Sequence, residues 1–79
     1  MINFVKAVQV KLDKVLDVDV STVRLPKLDA SDFDRFETCL FRGDDSEVVA
    51  TYGSKADAIT GHDQIVRAVS FVAGTPVSD

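Results

Sequence analysis

The chain has one cysteine, Cys39, and so cannot close an internal disulfide. That excludes the cross-linked scaffolds with which small secreted domains compensate for a thin core, and it fits a reducing compartment. Cations are also in short supply: nine Lys and Arg stand against thirteen Asp and Glu, for a net charge of −4. They are scattered, whereas neutralising several phosphates needs them clustered, so neither nucleic acid nor an anionic membrane surface is an expected partner. No apolar run approaches the roughly 20 residues that cross a bilayer. Met1 to Val10 lacks both the apolar core and the small-residue cleavage site of a leader, so a soluble, intracellular protein is expected.

What remains is one short domain of 79 residues. A chain of this length buries only roughly 60–65% of the surface its unfolded form exposes, which leaves stability marginal without added support. With disulfides excluded, the remaining source of support is burial against another chain, and an oligomer or a larger assembly is the expectation. Residues 1–73 are read as a single α+β domain and 74–79 as a C-terminal tail.

Apolar residues recur at Phe4, Val5, Val8, Leu12, Val15 and Leu16, while Lys6, Gln9, Lys11, Asp13 and Lys14 fall mostly opposite. This spacing predicts a first helix capped by Asn3, although a strand over the first ten residues stays open because the valines lower helix propensity. Ser21 to Leu25 alternates, with Val23 and Leu25 on one side and Thr22 and Arg24 on the other, and Pro26 ends it as a strand. Lys27 to Asp34 is an acidic connection with Leu28 and Phe33 as anchors.

A hairpin follows. A four-residue loop at Gly43, Asp44, Asp45 and Ser46 pairs Arg42 with Glu47, Leu40 with Val49 and Thr38 with Thr51 on one face. The other face sets Phe41 against Val48, Cys39 against Ala50 and Glu37 against Tyr52, and this face is expected to meet the next helix. That helix begins at Ser54 and Asp57, a near-match to the capping box, and carries a stripe of Ala58, Ile59, His62, Ile65, Val66, Val69 and Val72 before Gly74 and Pro76 end it. The predicted architecture is α-β-β-β-α, a three-stranded antiparallel sheet with two helices on one face.

Few residues offer chemistry. His62 is the only histidine, and no Cys or His stands at metal-ligand spacing from it, so it reads as a structural polar group bonded to backbone or to a carboxylate such as Glu37. Glu37 is read the same way, with Tyr52 or His62 as its partner. The aspartates at 29, 32, 34, 44 and 45 do not follow the alternation of a calcium loop, and Cys39 has no basic neighbour on its face to activate a thiolate. No catalytic residue, no metal ligand and no cofactor is assigned, and no enzyme is expected. The outer hairpin face, with Leu40 opposite Val49 beside Thr38 and Thr51, is instead the predicted contact surface for protein partners.

The predicted element order is also that of double-stranded RNA-binding domains, and Gly53, Ser54 and Lys55 are similar to their basic helix entrance. Asp57, Ala58 and Asp63 then stand where such a domain would offer further lysines to phosphates, which removes RNA as a partner. A closer resemblance runs from Ser21 to Ala68. It is carried by Val23-Arg24-Leu25-Pro26, by Phe36-Glu37-Thr38-Cys39-Leu40-Phe41, and by Tyr52 through Ala58-Ile59-Thr60-Gly61-His62. On these residues the chain resembles small uncharacterised proteins of tailed bacteriophages of actinobacteria. The resemblance implies a phage-encoded protein, a component or accessory of the virion, located in the particle or the host cytoplasm. A free acidic inhibitor of a host protein, mimicking nucleic acid, is the alternative expectation, and a small enzyme or metal protein centred on His62 is the third.

Overall fold

The computed structural model describes residues 7–26 and 35–74. Four strands, β1 (Val8–Val15), β2 (Val18–Leu25), β3 (Arg35–Arg42) and β4 (Asp45–Tyr52), form an antiparallel sheet in sequence order, and one helix, α1 (Lys55–Ala73), packs on one face of it and contacts all four strands. The fold remains α+β, but the predicted three strands and two helices are corrected to four strands and one helix among the described residues. Asn3 and Phe4, the connection with Leu28 and Phe33, and Pro76 lie outside them.

In place of the expected first helix stands β1. Val8 and Leu12 are spaced by four, as on one helix face, but a bulge between Gln9 and Lys11 sets them on opposite sheet faces, Val8 across from Arg24 and Leu12 across from Ser21. The β-branched Val8, Val10 and Val15 favour the extended chain. β1 turns into β2 through Leu16 and Asp17, so that Val15 pairs with Val18. Leu16 takes a left-handed φ of 56°, a conformation that costs a non-glycine residue about 1 kcal/mol.

The β3–β4 hairpin is tighter than its sequence predicts. Its loop is Gly43 and Asp44 alone, with Gly43 supplying a φ of 58°, and Arg42 pairs with Asp45. Leu40 therefore opposes Glu47 rather than Val49, Cys39 opposes Val48, and a bulge between Thr38 and Cys39 resets the register so that Thr38 opposes Ala50 and Phe36 opposes Tyr52.

Directly paired residues share a face. Two rows on the helix side are therefore Asp13, Val20, Leu40, Glu47 and Lys11, Thr22, Thr38, Ala50. Two rows on the other side are Lys14, Asp19, Phe41, Ser46 and Leu12, Ser21, Cys39, Val48. The expected orientation is thus reversed on β3. Leu40 faces α1, where it lines a cleft with Val69 and Val72, whereas Phe41 and Val48 point away from the helix and stand exposed.

Ser54 caps α1 by accepting a hydrogen bond from the Asp57 N–H at 3.1 Å, and Gly74 closes it with a left-handed φ of 74°. Its buried line runs through Ala58, His62 and Ser70, with Ile65, Val66 and Val69 half-buried, while Ile59 and Val72 of the expected stripe are exposed. The core beneath is small and partly polar: Val15, Val18, Val20, Phe36 and Ala58 are buried together with Thr22, Thr38, His62 and Ser70.

Candidate functional site

The centre of the sheet–helix interface is a chain of hydrogen bonds. The His62 Nε2–H donates to Asp13 Oδ2 on β1 at 2.7 Å, because a carboxylate can only accept. Its Nδ1 lies 2.7 Å from Thr22 Oγ1 on β2; in the neutral ring that carries its proton on Nε2, the Thr22 hydroxyl is the donor. Thr22 Oγ1 can then accept from the Thr38 hydroxyl on β3 at 2.5 Å, and Thr38 Oγ1 from the Tyr52 hydroxyl on β4 at 3.1 Å. One residue from each strand and one from the helix are joined in this chain. Thr22, Thr38 and His62 have no exposed surface, and among the described residues no buried side-chain nitrogen or oxygen lacks a partner.

Asp13, His62 and Thr22 repeat the acid, imidazole and hydroxyl order of hydrolytic triads. Neither the hydroxyl nor the imidazole can be reached by a substrate, so the arrangement holds the helix on the sheet. The neighbouring Asp63 brings ligand atoms of Asp13, His62 and Asp63 within 4.8 Å of one another, a grouping that could hold a cation. Lys11 on β1 already supplies the positive charge, its Nζ lying 2.5 Å from Asp63 Oδ1.

That hydrogen bond, with the charge of Lys11 behind it, holds the Asp63 carboxyl below its ordinary value of 3.8, and the same bond raises Lys11 above 10.5. A lowered acid stabilises the fold above its unfolded value and loses that contribution as pH falls through the folded one; a raised amine contributes below its unfolded value and loses it as pH rises through the folded one. The pair therefore works fully between about 3.8 and 10.5. Lys11→Ala is expected to move the Asp63 midpoint back up in a carboxyl-carbon NMR titration. A midpoint that stays in place would assign the depression to His62 and Arg67 instead.

The structure separates His62 from Glu37, the carboxylate expected as its partner. His62 is buried with Asp13 and Thr22 as its partners, whereas Glu37 is on the uncovered sheet face, opposite Val23 and Thr51 and 3.7 Å from Cys39 Sγ. Burial, and next the Glu37 charge, push the Cys39 thiol up, which disfavours the nucleophilic thiolate. The predicted contact patch is divided as well: Thr38 is buried in the hydroxyl chain, Leu40 faces the helix, Val49 stands at the bulge, and Thr51 alone keeps to the uncovered side. Asp13, Thr22 and Thr38 were missed as a group, and only the pairing of strands could have brought them together.

The larger feature is the uncovered face. Leu12 is 57%, Phe41 43% and Val48 52% exposed, with Val23, Leu25 and Cys39 partly exposed among them, and no described element covers them. A second apolar surface lies at the far end of α1, where Phe71 and Val72 project into solvent, Val72 lining a cleft with Asp17 of the β1–β2 turn. No described helix is long and apolar enough to cross a membrane. Comparison with protein-family models, with curated protein sequences and with solved structures yields no match to this chain.

Proposed function

We propose that this is a non-enzymatic phage protein, a virion structural or assembly accessory component, that works through protein contacts made by its uncovered sheet face. The observation that carries the reading is the exposure of Leu12, Phe41 and Val48 on a sheet with a helix on only one side. A two-layer domain normally buries both the helix stripe and the strand face it packs on, and leaves its outer strand face polar; large apolar side chains exposed there mark a contact surface. His62, Thr22 and Thr38 have no exposed surface, which keeps the imidazole and hydroxyls of the acid–imidazole–hydroxyl array from a substrate and supports a role without catalysis. The apolar end of α1 lies apart from the sheet face, so a single neighbour does not readily cover both, which suits a component with several neighbours in the particle or in the host cytoplasm where it forms.

The test is quantitative mass spectrometry of purified virions, with the parent and a Phe41→Glu variant each encoded in the phage. A fixed copy number per particle is expected for the parent and a loss of about tenfold or more for the variant, a change on the scale of one interface residue. A protein absent from particles, or a variant incorporated like the parent, would overturn the reading, the first outcome in favour of a free protein acting on the host.

A further inference from the structure

We infer that the partner on the uncovered sheet face is a second copy of this chain, packed face to face about a twofold axis; this rests on the reading of that face as a contact surface. A twofold interface places the same patch against itself, so the patch must complement its own shape and charge. Its shape does. One row across the face is Leu12, Ser21, Cys39 and Val48, in which Ser21 is buried with the Gln9 amide on its hydroxyl while the small Cys39 side chain stays partly exposed. Phe41 stands two residues from Cys39 on the same face, about 7 Å along the strand, and projects outward. The large Phe41 and the small, partly exposed Cys39 lie side by side, so a twofold axis between them sets each Phe41 over the partner's Cys39.

The charge argument is independent. The chain as a whole carries −4, and two copies repel if they meet through an average surface. The uncovered face instead holds Lys14 and Arg35 against Asp19 and Glu37, a balance of zero, with Lys14 and Asp19 3.7 Å apart. A strongly charged partner would find nothing to read there, whereas a copy meets no net repulsion. The area is also sufficient. Four strands of eight residues present about 27 by 19 Å, near 500 Å² a side and about 1,000 Å² in all, which meets the lower bound for a specific interface.

The experiment is sedimentation equilibrium of the purified full chain at concentrations up to about 1 mM, a range that captures even a weak dimer. It is paired with the rate at which Cys39, the only thiol, reacts with a maleimide. A monomer–dimer equilibrium is expected, with Cys39 slowed in proportion to the dimer present. Phe41→Glu should weaken dimerisation by at least about 100-fold while leaving the far-ultraviolet spectrum and melting temperature near the parent's, because Phe41 points away from the helix and lies outside the buried core. Leu12→Lys serves as a second variant on another strand, so that a folding defect in one does not decide the matter.

A parent that stays monomeric throughout would overturn the inference, as would a dimer that both variants leave intact and in which Cys39 reacts at the monomer's rate. The two readings fail separately. A monomer whose Phe41→Glu variant no longer enters particles keeps the assembly role and gives the face to a different protein; a dimer absent from particles does the reverse.

Discussion

Replacing His62 with alanine is expected to remove about 3 kcal/mol or more of folding free energy, since truncating a large buried side chain costs 2–5 kcal/mol and the orphaned partners add to that. The ring has no exposed surface and is bonded at both nitrogens. Its loss leaves a cavity under α1, takes a hydrogen-bond partner from Thr22, and leaves Asp13 facing the gap. In a domain whose total stability is on the order of 5 kcal/mol this approaches global unfolding, and a melting temperature lower by about 10–20 °C is the measurable result. Thr22→Val is the sharper probe, because it keeps the volume and deletes only the hydroxyl that links His62 to Thr38. It should cost about 1–3 kcal/mol, the range for stranding a buried acceptor. An unchanged melting temperature in both variants would mean that water replaces the chain freely, and the buried network would then not hold the helix in place.

The same network explains what could and could not be read in the sequence. The cap at Ser54, the helix that follows and the burial of His62 are local matters, set by a hydroxyl three residues from an N–H and by a stripe of apolar side chains, and the chain displays them directly. The faces of the sheet are a different matter. Sorting apolar residues inward works for Val18 and Val20 but reverses at Thr22 and Thr38, because two hydroxyls are needed beneath His62 and their burial is offset by hydrogen bonds that only the folded pairing creates. Once Thr38 points inward, Cys39 must point out, and a sheet that looks apolar on both sides in sequence has its apolar residues divided between the core and an open surface.

The hairpin register failed for a related reason. Matching Leu40 to Val49 and Phe41 to Val48 maximises apolar pairs, and it requires a four-residue loop. A two-residue loop needs only one residue at positive φ, which Gly43 provides, and the bulge after Thr38 then absorbs the offset so that Tyr52 lands opposite Phe36. Turn geometry and the placement of Tyr52 outweigh apolar pairing on an exposed edge strand, where each such pair contributes only about 0.2–1 kcal/mol. The cost of that choice is visible in the exposed Val48.

Tyr52 reaches Thr38 because α1 has no side chain at Gly61: a Cβ built there would sit on the Tyr52 ring. In an ordinary helix, replacing glycine with alanine stabilises by about 1 kcal/mol, since alanine surrenders less conformational freedom. Here Gly61→Ala is expected to destabilise, by about 1–3 kcal/mol, because the methyl group forces the ring outward and breaks its bond to Thr38. The sign should reverse in a Tyr52→Ala background, where the space is open and only the helix propensity of alanine remains, giving a gain of about 1 kcal/mol from the same substitution. Chemical denaturation of the four proteins closes the cycle, with a coupling of about 2–4 kcal/mol between positions 52 and 61. Two destabilisations that simply add would show that the ring has an alternative seat, and that Gly61 is placed in α1 for some reason other than the tyrosine packed against it.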